Sequence, residues 1–441
     1  MSRIRWVFWL YLLGLTGLWW WVDPTVWGGA TFFRWRSALL QCSGVVAIGG
    51  MSLAMVLAVR PVWFESRLGG LDKMYRLHKW LGISALVLSV LHWGLAQGPK
   101  WAVGWGWRQG RGPRAEHAAG GVLQWLSTQR GLAEEVGEWA FYALLVLTVL
   151  ALVKRVPYKF FVKTHHFLAV VYLALALHAV VLLRSESWRS ALGAVMVVAL
   201  SAGAVAAVLV LLRRNAGRRR VPGRVLAVRR HAPLDVVEVD LELQGRWPGH
   251  AAGQFAFVTL HRAEGAHPFT IATDWREDGR LTFLIKALGD NTRTLAGRTC
   301  AGDPVEVEGP YGGFTFESTQ PHQIWVGAGI GIAPFVARLK TLAHQGPGQD
   351  VDLFHTTAVL DPEVVGLLEK DARDAGVALH LFWDERDGLL TGARITTLVP
   401  EWRAAEVWFC GPSAFGAALR RDLLALGLPA VQFHQELFEL R

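Results

Sequence analysis

LHKWLGISALVLSVLHW, residues 77–93, and HHFLAVVYLALALHA, residues 165–179, decide how the first half of this chain is read. Each is the heart of an apolar run long enough to cross a bilayer. Each carries a histidine near either end, His78 and His92 in the first, His165 and His178 in the second. The intervals are 14 and 13 residues. At ~1.5 Å rise per residue each covers ~20 Å, most of a ~30 Å hydrocarbon core. Imidazole is costly in lipid, so histidines placed there are functional candidates by default.

Outward from these two runs, the chain of 441 residues divides by composition. The long apolar stretches lie within about 1–213, and 221–441 reads as an ordinary water-facing sequence. Six spans are expected, near 4–22, 37–59, 77–97, 138–156, 162–184 and 189–212. The first ends in Trp19-Trp20-Trp21 without a small-residue cleavage site, so it reads as a retained helix with an interfacial aromatic belt. The basic excess of +9 is not spread as a nucleic-acid surface would be. Its clusters flank the spans: Arg3 and Arg5, then Arg60, Arg67, Lys73, Arg76 and Lys79, then Lys154, Arg155, Lys159 and Lys163, then Arg213, Arg214, Arg218, Arg219 and Arg220. With six spans all four clusters fall on one side, which predicts a multi-pass protein of the bacterial inner (cytoplasmic) membrane with both termini in the cytoplasm. Cys42, Cys300 and Cys410 form neither a disulfide framework nor a CxxC metal motif.

A single intramembrane histidine is as easily a hydrogen-bond donor to a neighbouring helix as a ligand. Four at matching depths on two spans that run in the same direction are better explained as two facing pairs. His78 then faces His165 on the cytoplasmic side, and His92 faces His178 on the outer side. Two such pairs suit two stacked b-type haems, a route for electrons across the bilayer. Fourteen residues return a regular helix to within ~40° of the same face, whereas thirteen leave ~140°. The fifth span therefore needs a local bulge, a tilt or differently rotated haems. His166 is a rival to His165, but its interval to His178 leaves ~120° and fits no better.

Beyond a basic linker at 214–220, short β-type runs (GRVLAVRR, DVVEVDLEL, QFAFVTL, RLTFLIK, DPVEVEG) alternate with turns, predicting an antiparallel barrel over 221–318. From 319 to 441 strands alternate with helical stretches, which implies a parallel sheet. His267-Pro268-Phe269-Thr270 offers a hydroxyl at a strand end beside an apolar shelf, with Gly253-Gln254-Phe255 upstream. Ile285-Lys286-Ala287-Leu288-Gly289-Asp290-Asn291-Thr292 leads a strand through glycine to a helix start, as a pyrophosphate requires. Gly327-Ala328-Gly329-Ile330-Gly331-Ile332-Ala333-Pro334 follows a buried strand and opens a helix, a second place for a dinucleotide. Cys410-Gly411-Pro412 ends a later strand of the same sheet.

With these motifs in this order, the chain over about 37–441 resembles the NADPH oxidase and ferric reductase superfamily, in its bacterial type. Members of that superfamily carry six helices, histidine intervals of 14 and 13 on the third and fifth, and a cytoplasmic flavoprotein module of the ferredoxin–NADP⁺ reductase type. The resemblance implies bis-histidine haems at His78/His165 and His92/His178. It implies FAD held by Gln254, His267, Pro268, Phe269, Lys286, Gly289 and Thr292, with Thr270 against the isoalloxazine, and Glu308–Phe314 as a mainly structural turn. It implies NADPH or NADH at Gly327, Gly329, Gly331, Pro334, Gly411 and Pro412, with Cys410 beside the nicotinamide as a shaping residue and not a nucleophile. The ending Phe433–Phe438 matches the family's FxxExF, which brings Glu436 to the site and Phe438 over the flavin; three further residues follow here.

These readings predict a transmembrane oxidoreductase that passes electrons from cytoplasmic NAD(P)H through FAD and two haems to a small-molecule acceptor outside, a ferric chelate or O₂. The alternative is an electron-transfer subunit that reduces a periplasmic protein partner. Ala96 stands where superoxide-forming relatives tend to carry a histidine, and the outer half of span two offers Gln41 where they carry arginine. The second strand of the nucleotide sheet ends His355-Thr356-Thr357 with no arginine; Arg386 is the substitute, and NADH or dual use is favoured. His117 reads as a solvated loop residue.

Overall fold

The computed structural model describes residues 2–23, 32–106, 128–153, 155–212, 220–262, 264–287, 295, 297–346 and 348–436. Two compact units result, one from residues 2–68 and 73–212, the other from 69–72 and 220–436.

The first unit is helical. Its longer elements are α1 (Ser2–Val22), α2 (Phe32–Ala58), α3 (Val62–Leu68), α4 (Leu71–Gly104), α5 (Arg130–Leu152), α6 (Tyr158–His166), α7 (Leu168–Leu182) and α8 (Ala191–Leu211), with one helical turn at Ser185–Trp188. Among the described residues five helical stretches are long and apolar enough to cross a membrane: Arg34–Ala58, Leu71–Gly104, Arg130–Leu152, Phe160–Leu182 and Ala191–Leu211. The expected first span forms α1, a helix of 21 residues that is not among these five. Its arginines and tryptophans dilute its apolarity, as suits a helix anchored at an interface. Runs of Val, Leu and Ala with a polar residue at each end explain the others. The α4 helix extends beyond the expected 77–97 at both ends and runs through Pro99. The stretch Phe160–Leu182, the fifth expected span, is interrupted at Phe167, where the amide bonds back to Thr164 (3.1 Å) and Val170 bonds back to Phe167 (3.0 Å). These steps of three residues tighten the helix locally.

Small residues let these helices pack closely, as association in lipid demands. A β-carbon on Gly203 would fall 2.1 Å from the Tyr172 hydroxyl. That hydroxyl bonds Ser52 Oγ (2.9 Å) in α2. The buried cluster joins Trp19, Ile48, Met51, Leu144, Tyr172 and Met196. Outward faces carry Leu10, Trp139 and Val198, all well exposed, where lipid would replace water.

The second unit holds two sheets. The first has β1 (Arg220–His231), β2 (Val236–Leu243), β3 (Phe255–Thr259), β4 (His267–Thr270), β5 (Arg280–Lys286) and β6 (Pro304–Tyr311), in the antiparallel order β4-β3-β6-β1-β2-β5. Alternation along β2 and β5 buries Val237, Val239, Leu241, Leu281, Phe283 and Ile285 in one core. Where a barrel is expected, the edges meet through one isolated bridge, Ile271 to Phe283, and no ladder joins β4 to β5 among the described residues. The second sheet contains β7 (His322–Ala328), β8 (Asp350–Thr357), β9 (Ala378–Trp383), β10 (Ala405–Cys410) and β11 (Phe433–Gln435). All its pairs are parallel, in the order β11-β10-β7-β8-β9. Chain order thus reverses between β7 and β10, and the carboxyl ends of those two strands flank the crevice where open sheets of this kind hold ligands.

Candidate functional site

In the helical unit the four histidines meet in two pairs. The rings of His78 and His165 lie 5.9 Å apart between centroids, and those of His92 and His178 lie 6.2 Å apart. A metal bound at ~2.0 Å by both imidazoles puts their centroids about 6 Å apart, so each pair has a spacing that fits two ligands of one metal. The rings are also aimed. His78 Nδ1 donates to the Ala54 carbonyl (2.9 Å), His92 Nδ1 to the Leu40 carbonyl (2.9 Å) and His178 Nδ1 to the Ala133 carbonyl (2.7 Å). An imidazole so anchored presents its Nε2 lone pair. The buried Nδ1 of His165 has no hydrogen-bond partner among the described residues. Its rival His166 sits on an exposed face, with Nδ1 on the Val162 carbonyl (3.3 Å). The break at Phe167 lies between the two ligands of the thirteen-residue interval, and overwinding there turns the chain in the direction the mismatch needs.

One turn beyond His92 and His178, on the side away from His78 and His165, lies a polar layer that sequence reasoning passed over, Gln41 excepted. Arg36 donates to the carbonyls of Leu95 (2.7 Å) and Ala96 (3.3 Å). Arg184 makes a two-pronged contact with buried Asp23 (3.0 and 2.8 Å) and reaches Ser37 Oγ (2.7 Å). Gln41 reaches the Leu182 carbonyl (3.3 Å). The signal was present: an arginine at a span end is a functional candidate on cost alone. His117 lies outside the described residues.

In the first sheet of the second unit, Phe255 pairs with Thr270 and Phe257 with Pro268, while Ala256 pairs with Phe269 and Val258 with His267. Side chains alternate along a strand. Thr270 and Pro268 therefore share a face with Phe255 and Phe257, whose rings pack with Tyr311. His267 and Phe269 take the other face, where they line an apolar pocket with Val258, Leu260 and Leu295. Thr270 is buried. Gln254 braces this edge: its carbonyl accepts from Ile271 (3.0 Å), and its Nε2 reaches the Gly312 carbonyl (3.4 Å). At Gly253 (φ 90°) a β-carbon would collide with the Phe314 carbonyl at 1.8 Å. Lys286 ends β5 opposite Val236. Gly289, Thr292 and Phe438 lie outside the described residues.

The two glycine motifs of the second sheet come together at the β7/β10 switch. Gly327 is in register with Cys410. A β-carbon on Gly331 would lie 2.2 Å from the Cys410 carbonyl, and one on Gly411 would lie 2.7 Å from Ala328 Cβ. Gly329 takes the left-handed φ of 55°. Buried Pro334 opens the helix Ala333–Gln345, where a missing N–H costs nothing. Bare backbone therefore lines the crevice at a helix N-terminus. Burial, with the nearby Glu436 carboxylate adding to it, pushes the Cys410 thiol well above its ordinary value. Glu436 is itself buried, and Gly312 packs close to its carboxylate. Pro412 precedes the helix Ser413–Ala425. At the far end of the crevice Thr356 donates to Asp384 (3.0 Å), and Arg386 is held by Asp387 through two contacts (3.0 and 2.9 Å).

Residues 43–176, which contain all of α4, α5 and α6 and the first three fifths of α7, match the family described as ferric reductase like transmembrane component. Residues 223–315 match the FAD-binding domain. The chain is a fusion of a ferric-reductase-type membrane component with an FAD-binding domain. This ferric-reductase-type fusion is 28% identical over 212 residues to the ferredoxin reductase component of 3-ketosteroid-9-alpha-monooxygenase from Rhodococcus rhodochrous, covering 46% of this chain and 60% of that one. It is 26% identical over 219 residues to an NADPH oxidoreductase of Mycobacterium tuberculosis, covering 44% and 54%. The fusion thus spans less than two thirds of the length of these curated relatives. Among solved structures, a flavohemoglobin from Malassezia yamatoensis matches at 18% identity with a TM-score of 0.47, covering 91% of this chain and 98% of that one.

Proposed function

We propose that the fusion is a transmembrane oxidoreductase that moves electrons from cytoplasmic NAD(P)H through FAD and two b-type haems to a ferric chelate or O₂ on the outer face. The observation that carries this reading is the pair of facing imidazoles at two depths, three of the four rings anchored through Nδ1. When bound, FAD turns a two-electron hydride into single electrons and haem iron passes them on one at a time.

The residues supply position and exclusion of water. Gly327, Gly329 and Gly331 let a dinucleotide approach the sheet edge, with the helix N-terminus at Ala333 favouring its phosphates. Cys410, kept as a neutral thiol, fills the floor beside the nicotinamide without competing as a nucleophile. Thr270 at the strand end, with half-buried His267 and Phe269 beside it, suits a flat flavin ring, and Lys286 suits its phosphates. His78 with His165 and His92 with His178 would hold the two haems, the two ligand pairs being ~20 Å apart along the helices. Arg36, Gln41 and Arg184 make the outer end polar, which suits an anionic or polar acceptor. Asp384 beside Thr356, with Arg386 already engaged, favours NADH over NADPH.

Anaerobic addition of NADH or NADPH to the purified protein should reduce a haem Soret band, and ferric chelate or O₂ should reoxidise it at different rates that identify the acceptor. A protein with no Soret band, or a band indifferent to both nucleotides, would sink this reading. His92→Ala should leave flavin reduction within about two-fold of the parent and lower outer-face reduction at least ~100-fold.

A further inference from the structure

Both ligands of the outer pair rest on a notch in a neighbouring helix, and the two notches are built alike. His92 donates to the Leu40 carbonyl (2.9 Å), and four residues on in α2 stands Gly44, where a β-carbon would lie 3.0 Å from the His92 ring. His178 donates to the Ala133 carbonyl (2.7 Å), and four residues on in α5 stands Gly137, where a β-carbon would lie 2.0, 2.4 and 2.7 Å from three ring atoms of His178. In an α-helix the carbonyl at one position normally accepts from the amide four residues later. A side chain at that later position stands over the same carbonyl and shields it from the side. Glycine removes the shield, so an imidazole N–H can share the acceptor. The inner pair is seated differently: His78 uses the Ala54 carbonyl, four residues before Ala58, and His165 has no such anchor among the described residues.

We propose that Gly44 and Gly137 are positioning residues for the outer haem site, each opening a helix carbonyl so that it fixes the ring orientation and tautomer of its histidine. This rests on the reading of His92 and His178 as axial ligands. Glycine is a poor helix former, so its use in the middle of two apolar helices calls for a reason, and alanine at a neutral position should be tolerated or favoured. Anchoring of the ring N–H is also what sets the ligand strength of an imidazole. Loss of the notch should therefore change the haem itself and not only the packing.

The test compares Gly137→Ala, Gly44→Ala and Gly82→Ala, the last a control because its β-carbon meets nothing within 4 Å. Full-length protein is purified, extracted haem is counted per chain, and low-spin ferric signals are read by electron paramagnetic resonance. His92→Ala supplies the reference spectrum of a protein with the inner site alone. In Gly137→Ala haem content should fall from two towards one per chain, with the remaining spectrum converging on that reference. Gly44→Ala, with its milder contact, should keep two haems but shift the outer low-spin signal. Gly82→Ala should match the parent. Two unshifted low-spin haems in both Gly137→Ala and Gly44→Ala would overturn the inference and leave the proposed function standing. A parent protein without haem would overturn both. Should Gly137→Ala fail to accumulate, the presence or absence of the shift in Gly44→Ala decides the matter.

Discussion

Gly331 shows how a single missing atom can shape a crevice. Its α-carbon sits so close to the Cys410 carbonyl that alanine would place a β-carbon 2.2 Å away, against backbone that cannot swing aside. Gly331→Ala should lower stability by about 1–3 kcal/mol and raise the KM for nicotinamide more than it lowers kcat, as denaturant melts and steady-state kinetics would read. Asp384 makes a different kind of prediction. Its carboxylate lies beside Thr356 at the end of the crevice, and Arg386, two residues on, is tied to Asp387. A ribose hydroxyl can bond to such a carboxylate, whereas a 2′-phosphate is repelled by it. The ratio of kcat/KM for NADH over NADPH should exceed one, and Asp384→Ser should lower that ratio about ten-fold, a change near 1.4 kcal/mol. A ratio below one in the parent would show that the carboxylate does not face the ribose.

Among the elements, the amino edge of the parallel sheet carries a bridge that no motif announced. Asp352 on β8 accepts from His322 on β7 (2.7 Å) and from His380 on β9 (2.5 Å). Burial alone would raise this carboxyl, but the hydrogen bonds from His380 and His322, and their charge, hold it below its ordinary value of 3.8. A carboxyl depressed by folding stabilises the protein above its unfolded value, and that contribution disappears as pH falls through the folded value. Asp352→Asn should therefore lower stability by about 1–3 kcal/mol near neutral pH, with the gap from the parent closing below about pH 4, as melting curves over pH 3–7 would show. The elements also show which parts of the structure were legible beforehand. Alternation and turn residues mark the strands because burial on one face has period two. The open order of the first sheet and the length of α4 were not legible, since they depend on partners far along the chain. In the fifth span the thirteen-residue interval signalled an irregularity, and its location at Phe167 became visible only from the hydrogen bonds.

For the whole molecule, the decisive property is the sidedness of charge. Basic clusters at alternate span ends predict that the reductase portion lies in the cytoplasm. Cys300 tests this without mutation: it is exposed, whereas Cys410 is buried and its thiol is pushed up. A membrane-impermeant maleimide should label Cys300 in inverted vesicles and leave it unlabelled in intact spheroplasts; labelling in spheroplasts would reverse the orientation. At this scale the histidine pairing and the meeting of the GAGIG and CGP motifs were legible, because each is a short local pattern whose chemistry demands a partner. Their supports were not: Leu40, Ala54 and Ala133 act through carbonyls that every residue possesses, so nothing in their side chains marks them. Two of those supports have a consequence for how such chains can diverge. Leu40 and Ala54 on α2 hold His92 and His78 on α4, and both intervals are fourteen residues. The two helices are matched like the legs of a ladder, each fixing the rung spacing of the other. An inserted or deleted residue between the rungs of one is tolerable only with a compensating change in the other, so in descendants of this sequence the two lengths should be inherited together.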